Sequence, residues 1–283
     1  MKTIRVGGVP EHFNLPWHLC IEEGDFEYEH LNIEWIDFPG GTGAMNAALR
    51  NNEIDVAIIL TEGIVKDIIA GNPSSIIQTY IESPLIWGIH VAQDSKYKSL
   101  ENLETTKAAI SRMGSGSHLM AYVNAQNQGW DVSKLQFEIV GDINSAVNAL
   151  SLDKAQYFMW EHFTTKPLVD KGVFRRVADC PTPWPCFVVA AREEILHDHS
   201  HEIRKMLGVV NAKSASFKEI PNIQEVLATR YEQRPEDINK WLELTSWSQN
   251  QISKEDLETV QKTLFDLKLI PRTVDTSKLI YNL

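Results

Sequence analysis

Cysteine is scarce in this 283-residue chain. There are three, Cys20, Cys180 and Cys186, an odd number that argues against a disulfide framework, and none stands in a Cys-x-x-Cys pair. They read as buried free thiols. No apolar run reaches the length of about 18 residues that a membrane span needs, so no membrane insertion is expected. The start, Met1-Lys2-Thr3-Ile4-Arg5-Val6, is charged and enters a strand pattern at once, without the apolar core of a secretory signal. A cytoplasmic location is therefore expected, the alternative being a leader removed before residue 1.

Positive charge is also short. Against 38 acidic residues stand 27 basic ones, a net charge of -11, which turns the reading away from a nucleic-acid partner. Nucleotide and nucleophile motifs are missing too. No Gly-Lys-Ser/Thr ending makes a Walker loop, no Gly-x-Gly-x-x-Gly follows a strand, and no Gly-x-Ser-x-Gly marks a hydrolase elbow. Without His-Glu-x-x-His or a cysteine quartet, the one metal candidate is the alternating trio His197, His199 and His201, which reads as a solvated turn. No catalytic residue, metal site or cofactor is assigned.

What is present is a folded composition, 43% hydrophobic and 23% charged, long enough for two domains. Strand and helix patterns alternate from the first residues. Segments 4–9, 31–38, 55–60 and 76–80 read as strands, with helices at 15–23, 45–50 and 62–70 between them. Thr61 is placed to cap the last of these helices and Gly71 to close it. Segment 86–91 looks like a strand leaving that sheet. A second alternating series follows, with strands at 108–110, 137–140, 157–160 and 173–177, before the apolar return strand 186–191 and a helical remainder. The pattern predicts an α/β protein of two lobes, each a mainly parallel or mixed sheet flanked by helices. Lobe one comprises residues 1–91 and 188–283, and residues 92–187 form an inserted lobe two. A ligand is expected in a central cleft between them, beyond the carboxyl ends of the strands, with closure about a hinge.

Candidate ligand-binding residues follow from that placement. Gly114-Ser115-Gly116-Ser117-His118 joins a strand to a helix and sets backbone N–H groups, two hydroxyls and an imidazole around one point, an arrangement suited to an anionic or polar group. From it Ser115, Gly116, Ser117 and His118 are assigned. Gly40-Gly41-Thr42-Gly43 has the same position in lobe one and contributes Gly41 and Thr42. Thr61, next to Glu62, follows the third strand. His12, Asn14 and Trp17 follow the first strand, where Trp17 either stacks on a flat ligand or belongs to the core. Trp160 and Glu161 end a strand of lobe two, with Glu161 either pairing with a ligand or capping the next helix. Trp184, in Pro181-Thr182-Pro183-Trp184-Pro185, forms a wall of the cleft or packs on the hinge.

The order of these motifs resembles the type 2 periplasmic-binding-protein fold, in the branch with sulfonate, nitrate and pyrimidine-precursor binding components of ABC transporters. The resemblance rests on residues 4–10 and 39–42, on Ala48-Leu49 followed by Ile54-Asp55-Val56-Ala57, on Gly71-Asn72-Pro73, and on Ser115 to His118. The sequence is also similar to an intracellular fungal group with this fold linked to thiamine biosynthesis, although the cysteine-rich motif of the related pyrimidine-forming enzymes is absent. The resemblance implies intracellular binding of a small polar or anionic, heteroaromatic metabolite by a non-catalytic monomer, or alternatively a dimer. The other readings are an enzyme of thiamine-pyrimidine biosynthesis and an ABC-transporter substrate-binding component whose leader is missing.

Overall fold

The computed structural model describes residues 2–283, and the chain divides into two compact units. One runs up to Ser83 and resumes over Trp184–Leu283; the other is Pro84–Pro183.

The first unit begins with β1 (Thr3–Gly8), α1 (Leu15–Glu22), α2 (Asp25–Tyr28) and β2 (Asn32–Asp37). It continues through α3 (Gly41–Arg50), β3 (Val56–Leu60), α4 (Thr61–Ile69) and β4 (Ser74–Ile81). The second unit carries β5 (Ile86–Ala92), β6 (Lys107–Ile110), α5 (Gly116–Asn127), β7 (Gln136–Ile139), α6 (Ile143–Ser151), β8 (Tyr157–Glu161), α7 (Lys166–Asp170) and β9 (Phe174–Pro181). The chain then re-enters the first unit as β10 (Phe187–Arg192), followed by α8 (Glu193–Asp198), α9 (Ser200–Ser216), α10 (Ile223–Arg230), α11 (Pro235–Leu244) and α12 (Lys254–Asp266).

Both sheets have five strands and one plan. The first has the order β2-β1-β3-β10-β4 and the second β7-β6-β8-β5-β9. In each, the fourth strand runs antiparallel to both neighbours while the first three are parallel. The mixed α/β architecture is the one expected. Strand β3, Val-Ala-Ile-Ile-Leu, is an unbroken apolar run because it lies between β1 and β10 and is covered on both faces. Strand β4 lies at a sheet edge yet is buried along its whole length. Its edge is met by bridges from Ile76 to Ile280 and from Ile81 to Trp247, which supply partners an open edge would lack. In the second unit, Ala109, Ala146, Leu150, Ala155, Phe158 and Phe174 make the core between sheet and helices.

Several boundaries move. β5 does not leave the first sheet; it pairs with β8 and β9, so 86–92 belongs to the second. Helix α3 begins at Gly41 rather than Met45, which brings the glycine turn into its first turn. Helix α4 starts at Thr61 without a side-chain cap. The Thr61 hydroxyl donates instead to the Pro185 carbonyl at 2.5 Å, tying β3's end to the segment before β10. Among the described residues no helix is long and apolar enough to cross a membrane.

Candidate functional site

Strand β6 ends at Ile110, and the next residues fold into a closed polar turn. Gly114 takes φ +75°, the left-handed region that favours glycine. Its N–H donates to His118 Nδ1 at 3.1 Å, so the neutral imidazole carries its proton on Nε2. Ser115 is the N-cap of α5 and accepts from the His118 N–H at 3.3 Å. Ser117 Oγ accepts from the Ser111 N–H at 3.0 Å and lies 3.1 Å from Ser115 Oγ. Ser115, Ser117 and His118 are buried, and Gly116 is half-buried. Both hydroxyl oxygens accept a backbone N–H. One hydroxyl proton bridges the two serines, and the second is free to point to the Ser111 hydroxyl at 3.5 Å or to a ligand. With the positive end of α5 beneath it, the turn favours an acceptor-rich or anionic group. The His118 ring is set edge-on against Tyr122 and Phe137, which fixes its plane.

At the end of β8, Glu161 is buried and its Oε2 accepts from the N–H and hydroxyl of Thr164, at 2.6 and 2.8 Å. Burial raises its pKa and these hydrogen bonds oppose the rise. These bonds close the turn after β8 and do not cap α7, whose N-cap, Thr165, has no side-chain cap hydrogen bond. Trp160 is partly buried, stacked on Phe158 at 5.3 Å and edge-on to Trp87.

In the first unit, Gly41 opens α3 at φ +64°, and neither it nor Gly40 offers a side-chain cap, so the first N–H groups of the helix lack one. Thr42 packs on Gly63 in the first turn of α4: a Cβ on Gly63 would stand 2.2 Å from Thr42 Cγ2. Asn46 Nδ2 donates to the Gly63 carbonyl at 3.1 Å, so the starts of α3 and α4 are held side by side. Next in sequence is Glu62, buried at 4% exposure, whose Oε2 accepts from the Trp184 indole N–H at 3.0 Å. Burial pushes its pKa up to about 7, opposed by its own backbone N–H and by the indole. Trp184 is thus fixed on the first unit by Glu62, a pairing across 122 residues that no local pattern signals. Glu62 itself carried a weak signal, its position after β3.

The residues after β1 are more structural than expected. Trp17 is fully buried, stacked on Phe26 and 5.9 Å from Trp35, so it is a core residue and its faces are occupied. Asn14 Nδ2 donates to the Val9 carbonyl at 2.8 Å, closing the turn after β1. His12 is buried against Trp241 at 4.2 Å and Phe13 at 4.9 Å, and burial lowers its pKa to about 3. The histidine trio gathers no metal-binding set: among the described residues no three His, Cys, Asp or Glu are placed to hold an ion.

The family model for Ca3427-like periplasmic binding proteins matches residues 87–180, almost the whole second unit. The Candida albicans CA3427 gene product, described as having the generic periplasmic-binding-protein fold, superimposes with a TM-score of 0.90 at 25% identity, over 100% of this chain and 98% of that one. The chain has a type 2 periplasmic-binding-protein fold. The alkanesulfonate-binding protein SsuA of Xanthomonas axonopodis pv. citri, bound to MOPS, matches with a TM-score of 0.84 at 14% identity, over 99% and 98% of the two chains. The periplasmic aliphatic sulphonate binding protein SsuA of Escherichia coli matches with a TM-score of 0.76 at 17% identity, over 100% and 92%. No curated protein sequence matches the chain significantly. The expected cytoplasmic location is corrected by these likenesses, since proteins named as periplasmic share the fold over its full length. None of these matches carries the thiamine link that the sequence resemblance implied.

Proposed function

We propose that this protein is a solute-binding protein of the ABC-transporter substrate-binding type, which takes a small polar or anionic ligand and does no chemistry on it. Each unit offers a strand-end turn of its own as a recognition element, Ser115 to His118 in the second and Gly41 with Thr42 in the first. The observation that carries the reading is the buried Ser115–Ser117–His118 cluster at the start of α5, where hydroxyls and the helix end converge on one point. The sulfonate binders that share the fold support an oxyanion as the head group.

Native mass spectrometry of gently purified protein, followed by titration calorimetry with ethanesulfonate, nitrate, phosphate and an aminopyrimidine, tests the proposal. One of these binding, with affinity lost in a Ser115→Ala/Ser117→Ala variant that stays folded, is the expected result. Binding that ignores both serines and Thr42 overturns it, and turnover of the pyrimidine returns the enzyme reading.

A further inference from the structure

The outer edge of the first sheet carries a cavity that the strand-end turns do not line. Strand β4 is the edge strand, and chain from the end of the unit closes it. The Thr79 N–H donates to the Asn250 carbonyl at 2.8 Å, the Ile76 N–H to the Leu279 carbonyl at 2.8 Å, and the Tyr281 N–H to the Ile76 carbonyl at 2.9 Å. The two segments fixed in this way wall a cavity together with β4 and α9. Its volume is about 390 Å³, the size of a small-molecule site. Much of the wall is carboxamide. Gln78, 4% exposed, exchanges hydrogen bonds with Asn211, giving from Nε2 to Asn211 Oδ1 at 2.8 Å and taking at Oε1 from Asn211 Nδ2 at 2.9 Å. Gln78 also donates to the Ser248 carbonyl at 3.2 Å, and Gln251 donates to the carbonyls of Ile76 and Tyr281 at 3.3 and 3.1 Å. Gln249 Nε2 donates to the Asn211 carbonyl at 3.2 Å. This count leaves one N–H on Asn211, one on Gln249 and the side-chain amide of Asn282 without a partner in the chain.

Arg204 completes the wall. Arg204, Gly208 and Asn211 recur at i, i+4 and i+7 on α9 and so share one face of the helix. The Arg204 guanidinium makes no ion pair or hydrogen bond among the described residues, and no Asp or Glu lines the cavity, in a chain whose net charge is -11. Gly208 keeps the middle of that face open, since a Cβ there would meet nothing within 4 Å. A guanidinium with its donors unspent, set among free amide N–H groups and away from any acidic side chain, matches an anion with further acceptors around it. We propose that this cavity is a second binding site, for a small organic anion whose carboxylate or phosphate is taken by Arg204 and whose hydroxyl-rich body is held by the amides. It is independent of the solute binding proposed above, because neither Gly41 with Thr42 nor Ser115 to His118 lines it.

Titration calorimetry of the full chain with gluconate, glucose 6-phosphate and glucose tests this, two polyhydroxy anions of different head group against a neutral polyhydroxy compound. The wild-type protein is expected to bind at least one of the anions tighter than glucose by about tenfold or more. Arg204→Gln is expected to erase that preference. Gly208→Leu, which fills the cavity from an exposed helix position and replaces glycine by a better helix former, is expected to abolish binding without lowering the thermal midpoint. Ser115→Ala/Ser117→Ala is expected to leave it intact. No anion binding by the wild type at millimolar concentration, glucose bound as tightly as the anions, or an affinity that survives both Arg204→Gln and Gly208→Leu overturns the site. Anion affinity lost with the two serines and kept in Arg204→Gln also overturns it, and supports the serine turn as the binding element instead.

Discussion

The methyl group of Thr42 occupies the space that a side chain on Gly63 would need: a Cβ there would lie 2.2 Å from Thr42 Cγ2. The contact sets the spacing of α3 and α4 at the carboxyl end of the first sheet. Gly63→Ala is expected to destabilise the unit by about 1–3 kcal/mol, because the clash is with a short β-branched side chain on a rigid helix start. Thr42→Ser deletes the offending methyl. The double variant Thr42→Ser/Gly63→Ala is therefore expected to recover most of the loss, and a double-mutant cycle from denaturant unfolding measures that coupling. Additive losses would show that the two residues do not share the space.

Asp55 ties Arg5 on β1 to Arg192 at the end of β10, with Arg192 also donating to the Ile54 carbonyl and to Asn52. Asp55→Asn leaves two guanidinium groups around a neutral amide, one of them on a buried arginine, and is expected to cost about 3–5 kcal/mol. Since the folded pKa of Asp55 is depressed to about 2, its stabilisation is complete above the unfolded carboxylate value and fades as pH falls toward 2. Urea unfolding at a series of acidic pH values is expected to show that component in the wild type and not in Asp55→Asn.

His12 acts in a different window. Buried among Trp241, Phe13 and Tyr231, it is neutral in the folded chain, with its pKa lowered to about 3 by burial. Between its unfolded value, near 6.5, and 3 the unfolded chain binds a proton that the folded chain refuses, so stability falls as pH drops through that range. His90, lowered to about 3 by burial and then by Arg176, contributes in the same window. His12→Phe is expected to keep the aromatic cluster and to flatten part of the slope between pH 6.5 and 4, read as the shift of the thermal midpoint with pH. An unchanged slope would mean that His12 titrates normally in the folded state.

What could be read from the chain follows the range of the forces involved. Alternating strands and helices and the two glycine turns are written in local pattern, since burial on a sheet imposes runs such as Val56 to Leu60 and helix starts need small or capping residues. Roles fixed by distant partners were hidden. Thr61 looked like a cap, yet its hydroxyl serves the Pro185 carbonyl, 124 residues away. Trp184 read either as a wall of the cleft or as packing on the hinge, and nothing local signalled that its indole is held by Glu62. Trp17 stands where a ligand contact would stand, but Phe26 and Trp35 claim its faces. Membership of β5 in the second sheet rests on pairing with β8 and β9, which its own residues do not encode.

The serine turn after β6 separates a structural role from a binding one. Ser115→Ala removes the cap on the His118 N–H and is expected to cost about 1 kcal/mol of stability. Ser117→Ala strands the buried Ser111 N–H and is expected to cost about 1–3 kcal/mol. A cysteine at 117 keeps a weak acceptor for Ser111 but presents a poor donor to an oxyanion. If the turn only closes the start of α5, Ser117→Cys restores stability and leaves any anion affinity unchanged. If the second hydroxyl proton is given to a ligand, Ser117→Cys recovers stability relative to Ser117→Ala while ethanesulfonate affinity stays low. Thermal unfolding and calorimetry on the same samples distinguish the two, and the second outcome is the one expected from the donor count of the cluster.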